Sequence, residues 1–214
     1  MTTSTDRSMT QPRAADLWTT IVERRSVRAF STEPVPRQPI EHAIEAAGWA
    51  PSPHGSQPWR FVVVESRTRR FALAEAMAAT WREQLTMDRQ DSAEVERRLG
   101  RSMERLQRAP VLILVCLYLA DTQSYPDPSR RSAEQTMAVQ SLGAATQNLL
   151  LALHQQGLDA GWMCAPLFCP DVVRDTLGLD ADHLPHALIP VGHAAAEPNR
   201  RPRRPVATLI TDWQ

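Results

Sequence analysis

Apolar and polar positions along the 214-residue chain switch between a helical and a strand-like period, and the switches mark its elements. Leu17, Ile21 and Val22 fall on one helical face and predict an amphipathic helix over 13–24, with a second helix over 38–48. The runs Phe61-Val62-Val63-Val64 and Val111-Leu112-Ile113-Leu114-Val115 are short, continuous and mostly β-branched, so strands are expected over 60–65 and 111–118. Ser66 is a suitable N-cap for a helix that starts after it, and a charged helical stretch covers 90–107. Beyond a polar loop from Asp121 to Ser129 the pattern predicts a long helix over 130–156, a strand over 159–164, a short helix over 170–177 and a strand over 186–192. Helices and strands interleave irregularly, which points to an α+β class and not to a doubly wound sheet.

The long helix stands out because Gln135 to Leu158 contains no Asp, Glu, Lys or Arg. A helix apolar on nearly every face must be buried on all sides or span a membrane. Gln135, Thr136, Gln140, Ser141, Gln147 and Asn148 interrupt it too often for a membrane span, which needs about 20 mostly apolar residues. A chain of this size can hardly enclose a helix about 40 Å long, so a second copy is expected to cover one face. Ser141, Gly143, Ala144 and Ala145 are small enough to let a partner helix approach closely. The stretch 67–108, rich in Ala, Arg, Glu and Gln with Trp81, Leu85 and Met87 as apolar anchors, looks like an insertion over the site, and its charged part, Asp88 to Arg108, reads equally as a solvated helical face.

Composition narrows the chemistry. The 24 basic residues are all arginine and are balanced by 24 acidic ones, so there is no net charge to hold nucleic acid and no lysine for Schiff-base chemistry. Cys116, Cys164 and Cys169 are odd in number, which argues against a disulfide framework and for a reducing, cytoplasmic setting. No ligand pair joins them to the histidines, so no metal site is expected. The polar start at 1–12 lacks the apolar core of a targeting peptide and reads as disordered, leaving 13–214 as one domain.

Two segments carry the candidate chemistry. Glu23-Arg24-Arg25-Ser26-Val27-Arg28-Ala29-Phe30 places three arginines around one serine where a helix gives way to extended chain. Guanidinium forks match phosphate oxygens, although arginines at a helix C-terminus also complement its dipole. Ala50-Pro51-Ser52-Pro53-His54-Gly55-Ser56-Gln57-Pro58-Trp59 is a proline-fixed loop whose Ser52, Ser56 and Gln57 suit a polyol. Near the C-terminus, Arg200-Arg201-Pro202-Arg203-Arg204 adds a second basic cluster.

In this order and about 25 residues apart, the first two segments resemble the nitroreductase family, over residues 15 to 210. The resemblance implies a nitroreductase-like fold, a central mixed or antiparallel sheet flanked by helices with a long buried helix at a dimer interface. It implies FMN as cofactor, with Arg24, Arg25, Ser26, Arg28, Arg201 and Arg203 toward the phosphate and Pro51, Ser52, Pro53, His54, Ser56 and Gln57 along the ribityl chain. Gly55 stands where the family usually has a ribityl-contacting asparagine. Ala165, Pro166 and Leu167 match the strand end that faces the flavin ring; Pro166 has no N–H, so a donor near N5 must come from a neighbour. Arg28 is an alternative partner for the ring's pyrimidine end. The implied activity is ping-pong hydride transfer from NAD(P)H through FMN to a small nitroaromatic, quinone or enone-like acceptor, without a catalytic side chain. The Ala-Pro-x-Pro-His form of the loop, with Gln147-Asn148-Leu149-Leu150 and Trp162, is also similar to the FMN domain of the deazaflavin coenzyme gamma-glutamyl ligase. That leaves two alternatives open: reduction of a dehydro precursor of that coenzyme, or flavin or deazaflavin binding without turnover.

Overall fold

The computed structural model describes residues 15–198 and 200–214; the expected disordered start at 1–12 lies outside them. In chain order its elements are α1 (Leu17–Glu23), α2 (Arg37–Gly48), β1 (Trp59–Val64), α3 (Arg67–Met87), α4 (Ser92–Arg108), β2 (Val111–Leu117), α5 (Pro128–Gln155), β3 (Asp159–Ala160), α6 (Pro170–Leu177) and β4 (Leu184–Gly192). Side-chain caps fix four helix starts: Asp16, Ser66, Asp91 and Asp127 each accept from the backbone N–H three residues on. Gly178, in the left-handed region at φ 68°, closes α6.

The strands form one sheet in the order β1-β2-β4-β3, with every pair antiparallel. All seven residues of β2 are buried, because helices cover both sheet faces. Val111, Ile113, Val115 and Leu117 point to one face, where Ile40, Ala43 and Ala47 of α2 and Leu142, Ala145 and Leu149 of α5 complete the core. Leu112, Leu114 and Cys116 point to the other, against Leu73 and Met77 of α3, Leu106 of α4 and Val173 of α6. This α+β antiparallel arrangement agrees with the expected class.

Three features of the fold bear on the expectations. The strand expected over 159–164 is regular only at Asp159–Ala160. Gly161 N–H still donates to Pro190 O, at 3.1 Å, but Pro190 has no N–H to return, and pairing resumes only as a bridge between Met163 and Leu188. The 67–108 stretch is a pair of packed helices: Ala78 and Leu85 of α3 bury against Val95 and Leu99 of α4, while Glu96, Arg97, Arg101 and Glu104 keep one face of α4 in solvent. Met87, expected as an anchor, is 73% exposed. Finally, α1 and α5 leave apolar surface uncovered, notably Leu17, Trp18 and Ile21 on α1 and Met137 and Val139 on α5.

Candidate active site

The arginine segment leaves the end of α1 and is fastened to the edge of the sheet. Ser26 forms a parallel bridge with Ala160, and Val27 N–H donates to Ala160 O at 2.9 Å. Gly161 allows this approach, since a Cβ there would lie 2.5 Å from Val27 O. The two sequence readings of the arginines turn out to apply to different residues. Arg25 donates to Val22 O at 2.5 Å and Arg24 O at 2.8 Å, and Arg200 reaches Val22 O at 3.1 Å, so these two satisfy the C-terminal carbonyls of α1. Arg24 does not: its Nε is buried with no hydrogen-bond partner. Burial, with the guanidinium groups of Arg203 and Arg25 close by, holds Arg24 below the usual arginine range. Among the described residues no carboxylate pairs with these three cations, an arrangement suited to an anion. Arg201 is exposed beside this cluster in sequence, as are Ser26 and Arg28 on the loop itself.

The proline loop folds tightly before β1. Pro53–Gly55 is a 3-10 turn in which His54 and Gly55 take φ values of 55° and 67°, and Gln57 follows at 46°. Non-glycine residues held at positive φ store strain of the kind that gathers at ligand sites. Ser52 Oγ accepts from Gln57 N–H at 3.1 Å, while Ser56 Oγ is buried without a partner. Asn148 of α5 supports the start of the loop by donating to Ala46 O at 3.2 Å. Pro51 is exposed at its mouth.

One chain does not bring these two halves together. The loop enters β1 at Trp59, which is in register with Leu117 and, through it, with Leu184. The arginine segment lies against β3, where Ala160 pairs with Val191. Opposite edges of the sheet are three strand spacings, or about 14 Å, apart, and opposite strand ends add about 20 Å along it.

A cavity of about 710 Å³ opens between α3, α4 and the segment from Met163 to Cys169. Residues 165–168 form a 3-10 turn, tied to α3 by Gln84 Nε2 donating to Phe168 O at 3.0 Å. Ala165 lines the cavity, Pro166 is buried and Leu167 is half-exposed. Leu167 N–H is engaged with Cys164 O at 3.1 Å, so neither it nor Pro166 offers a free donor. Trp81 and Phe168 supply an apolar lining, and Arg98, Arg101 and Arg105 line one wall. Sequence reasoning missed these arginines. Their signal was present, because Arg97, Arg101 and Arg105 recur every four residues, and like charges at that spacing destabilise an isolated helix. The cavity also contains the thiols of Cys164, which is exposed, and Cys169; burial pushes the Cys169 thiol up, and it pushes that of Cys116, in the core of β2, to about 12.

Fold and site together define an α+β protein with a cluster of arginines at a sheet edge and a large partly apolar cavity. The chain belongs to the nitroreductase family, whose family model matches residues 21–193. It is 28% identical to YfhC of Bacillus subtilis (strain 168), provisionally assigned as an NAD(P)H nitroreductase, over 90% of this chain and 91% of that protein. It is 27% identical to rat iodotyrosine deiodinase 1 over 85% of this chain, which spans 63% of the deiodinase. A provisionally assigned nitroreductase of Desulfovibrio desulfuricans, solved with FMN, superposes with a TM-score of 0.70 at 27% identity, covering 94% of this chain and 99% of that one.

Proposed function

We propose that the protein is an FMN-dependent NAD(P)H oxidoreductase that reduces a small organic acceptor. The observation that carries this reading is the buried, unpartnered Nε of Arg24, gathered with Arg203 where no carboxylate among the described residues answers them. A phosphate monoester supplies the missing charge and accepts from the guanidinium donors. FMN, when bound, would take hydride from NAD(P)H and pass two electrons to the acceptor in ping-pong order. The chain's own part is to hold, orient and exclude water. Arg24 and Arg203 would hold the phosphate, Ser26 would add a short-reach donor, and Arg28 would be available to the pyrimidine end of the ring. No side chain needs to act as nucleophile or general base.

The working unit in this reading is a homodimer. Ser52, Ser56 and Gln57 lie too far from Arg24 to serve the same flavin within one chain, so the polyol loop of one copy completes the arginine site of the other. The buried, unpartnered Ser56 Oγ and the strained His54 and Gln57 fit a loop shaped for such a ligand. The uncovered apolar residues of α1, α5 and the tail, among them Trp18, Val139, Leu209 and Trp213, supply a surface for the partner. No helix among the described residues is long and apolar enough to cross a membrane. The free cysteines suit a reducing compartment such as the cytoplasm.

The test is a visible absorbance spectrum of the purified protein, before and after anaerobic NADH or NADPH. Twin flavin bands that bleach on addition are expected. Bands that persist would favour a different donor or binding without turnover, and no bands even after adding FMN would overturn the reading.

A further inference from the structure

The wall of the α3–α4 cavity holds a second group of cations that the flavin phosphate does not account for. Arg101 and Arg105 lie one helical turn apart on α4 and both line the cavity. Arg105 Nε is buried and has no hydrogen-bond partner. Burial, together with the like charges of Arg28 and Arg101, lowers its affinity for a proton. The remaining arginine of the wall behaves differently. Arg98 is neutralised by Glu94, at 2.7 Å from its Nε, and also donates to Gln90 Oε1 at 3.1 Å. Elsewhere on these helices, Arg82 pairs with Glu96 and Arg108 with Glu104. Among the described residues, unanswered arginines on α4 are therefore confined to the cavity side, while those pointing away have acidic partners.

The rest of the lining says what accompanies the missing anion. Met77, Ala78, Trp81, Leu106 and Phe168 offer an apolar surface with two aromatic rings beside the guanidinium groups. A volume of about 710 Å³ is in the range of small-molecule sites. An inorganic anion would leave that surface wetted, and a neutral arene would leave Arg101 and Arg105 unanswered. A planar apolar body with one anionic group satisfies both.

We propose that this cavity is the acceptor subsite and that Arg101 and Arg105 select an acceptor with a flat apolar body bearing a carboxylate or comparable anion. The proposal names the substrate class for the flavin reading above and rests on it. Arg28, on the segment that carries Arg24, is one of the like charges felt by Arg105, and an anionic acceptor held by α4 would have its body directed toward the 163–165 segment across the same cavity.

Benzoate and benzamide are non-reducible probes of the same shape and different charge. In FMN-loaded protein, benzoate is expected to perturb the flavin spectrum and to bind at least about tenfold more tightly than benzamide, the usual scale of one hydrogen bond to a charged group. Arg101→Gln, on the exposed rim, should erase most of that preference, and Arg105→Gln should do the same. Turnover gives a second readout with 4-nitrobenzoate and 4-nitrobenzamide, in which NAD(P)H and a proton convert the nitro group to nitroso and release water and NAD(P)+. The ratio of kcat/KM for the acid over the amide should fall about tenfold in Arg101→Gln and stay unchanged in Arg97→Gln, whose partner is Glu94. Equal binding of benzoate and benzamide overturns the proposal. So does a rise in KM for NADH or NADPH in Arg101→Gln with the acid-to-amide ratio intact, which would give the arginines to the dinucleotide phosphates. Should the protein show no flavin bands, the flavin reading fails by itself. The cavity is then judged by thermal stabilisation of the protein by benzoate over benzamide: its loss in Arg101→Gln supports an anion subsite, and no benzoate effect overturns it.

Discussion

The two unanswered arginine clusters of this protein carry the same charge and are built in opposite ways. Arg24 and Arg203 come from near the two ends of the chain and meet only because the Ser26–Val27 segment is laced to β3 at the sheet edge. Arg101 and Arg105 share one helix, which stands on α3 through its own small cluster of Ala78, Leu85, Val95 and Leu99. The first cluster is a product of the whole fold, and the second can be changed without disturbing the sheet. A site divided in this way keeps one ligand constant, the cofactor, and leaves the other adjustable.

The sharpest way to break this division is at the phosphate end. Arg24→Gln or Arg203→Gln should weaken FMN binding about 10- to 100-fold, corresponding to about 1.5–3 kcal/mol for a hydrogen bond to a charged group, as read by titration of apoprotein with FMN. Arg101→Gln should change FMN affinity far less. Equal losses at both clusters would mean that they serve one anion and that the division is wrong.

Next in size is Gly161→Ala. Its Cβ would lie 2.5 Å from the Val27 carbonyl, a backbone group that cannot swing aside. Overpacking of this kind typically costs about 1–3 kcal/mol. Chemical denaturation should show that loss together with weaker FMN binding, since moving Val27 also moves Arg24 to Arg28. A loss of stability with FMN affinity intact would show that the strand edge does not position the arginines.

How much of this was readable in advance follows the same division. The class and nearly every element were legible, because strands such as Val111–Leu117 are continuous apolar runs, and the arginine and proline segments drew attention because they are dense and contiguous. What escaped was assignment within a motif. Nothing in Arg24-Arg25-Ser26 tells which arginine caps α1 and which stays unpartnered; that is decided by where the Val22 carbonyl points. The break after Ala160 escaped as well, since it depends on Pro190 standing across from Gly161. The α4 site was hidden by company: Arg97, Arg98, Arg101, Arg105 and Arg108 occur among glutamates, and only subtracting the paired ones reveals Arg101 and Arg105.

The smallest effect separates the clusters most cleanly, because it concerns the protein without its ligands. Burial and like-charged neighbours disfavour the charged forms of Arg24 and Arg105 in the folded state, and both remain charged at any working pH. Each therefore destabilises the empty protein, as is common for residues placed for function and not for stability. Both side chains are only partly buried and keep much of their hydration, which limits the effect. Arg24→Gln and Arg105→Gln should each raise the Tm of apoprotein by about 1–2 °C, the range of a few tenths of a kcal/mol in a chain of this length. With saturating FMN the two should part, because a ligand bound only to the folded state stabilises it by mass action. Arg105→Gln should retain most of the FMN-dependent gain in Tm, and Arg24→Gln should lose much of it at the same FMN concentration. Adding benzoate should reverse the order, with the gain retained in Arg24→Gln and diminished in Arg105→Gln. If each substitution abolished both gains, the clusters would be one site, and an apoprotein Tm lowered by both would show that these arginines are structural.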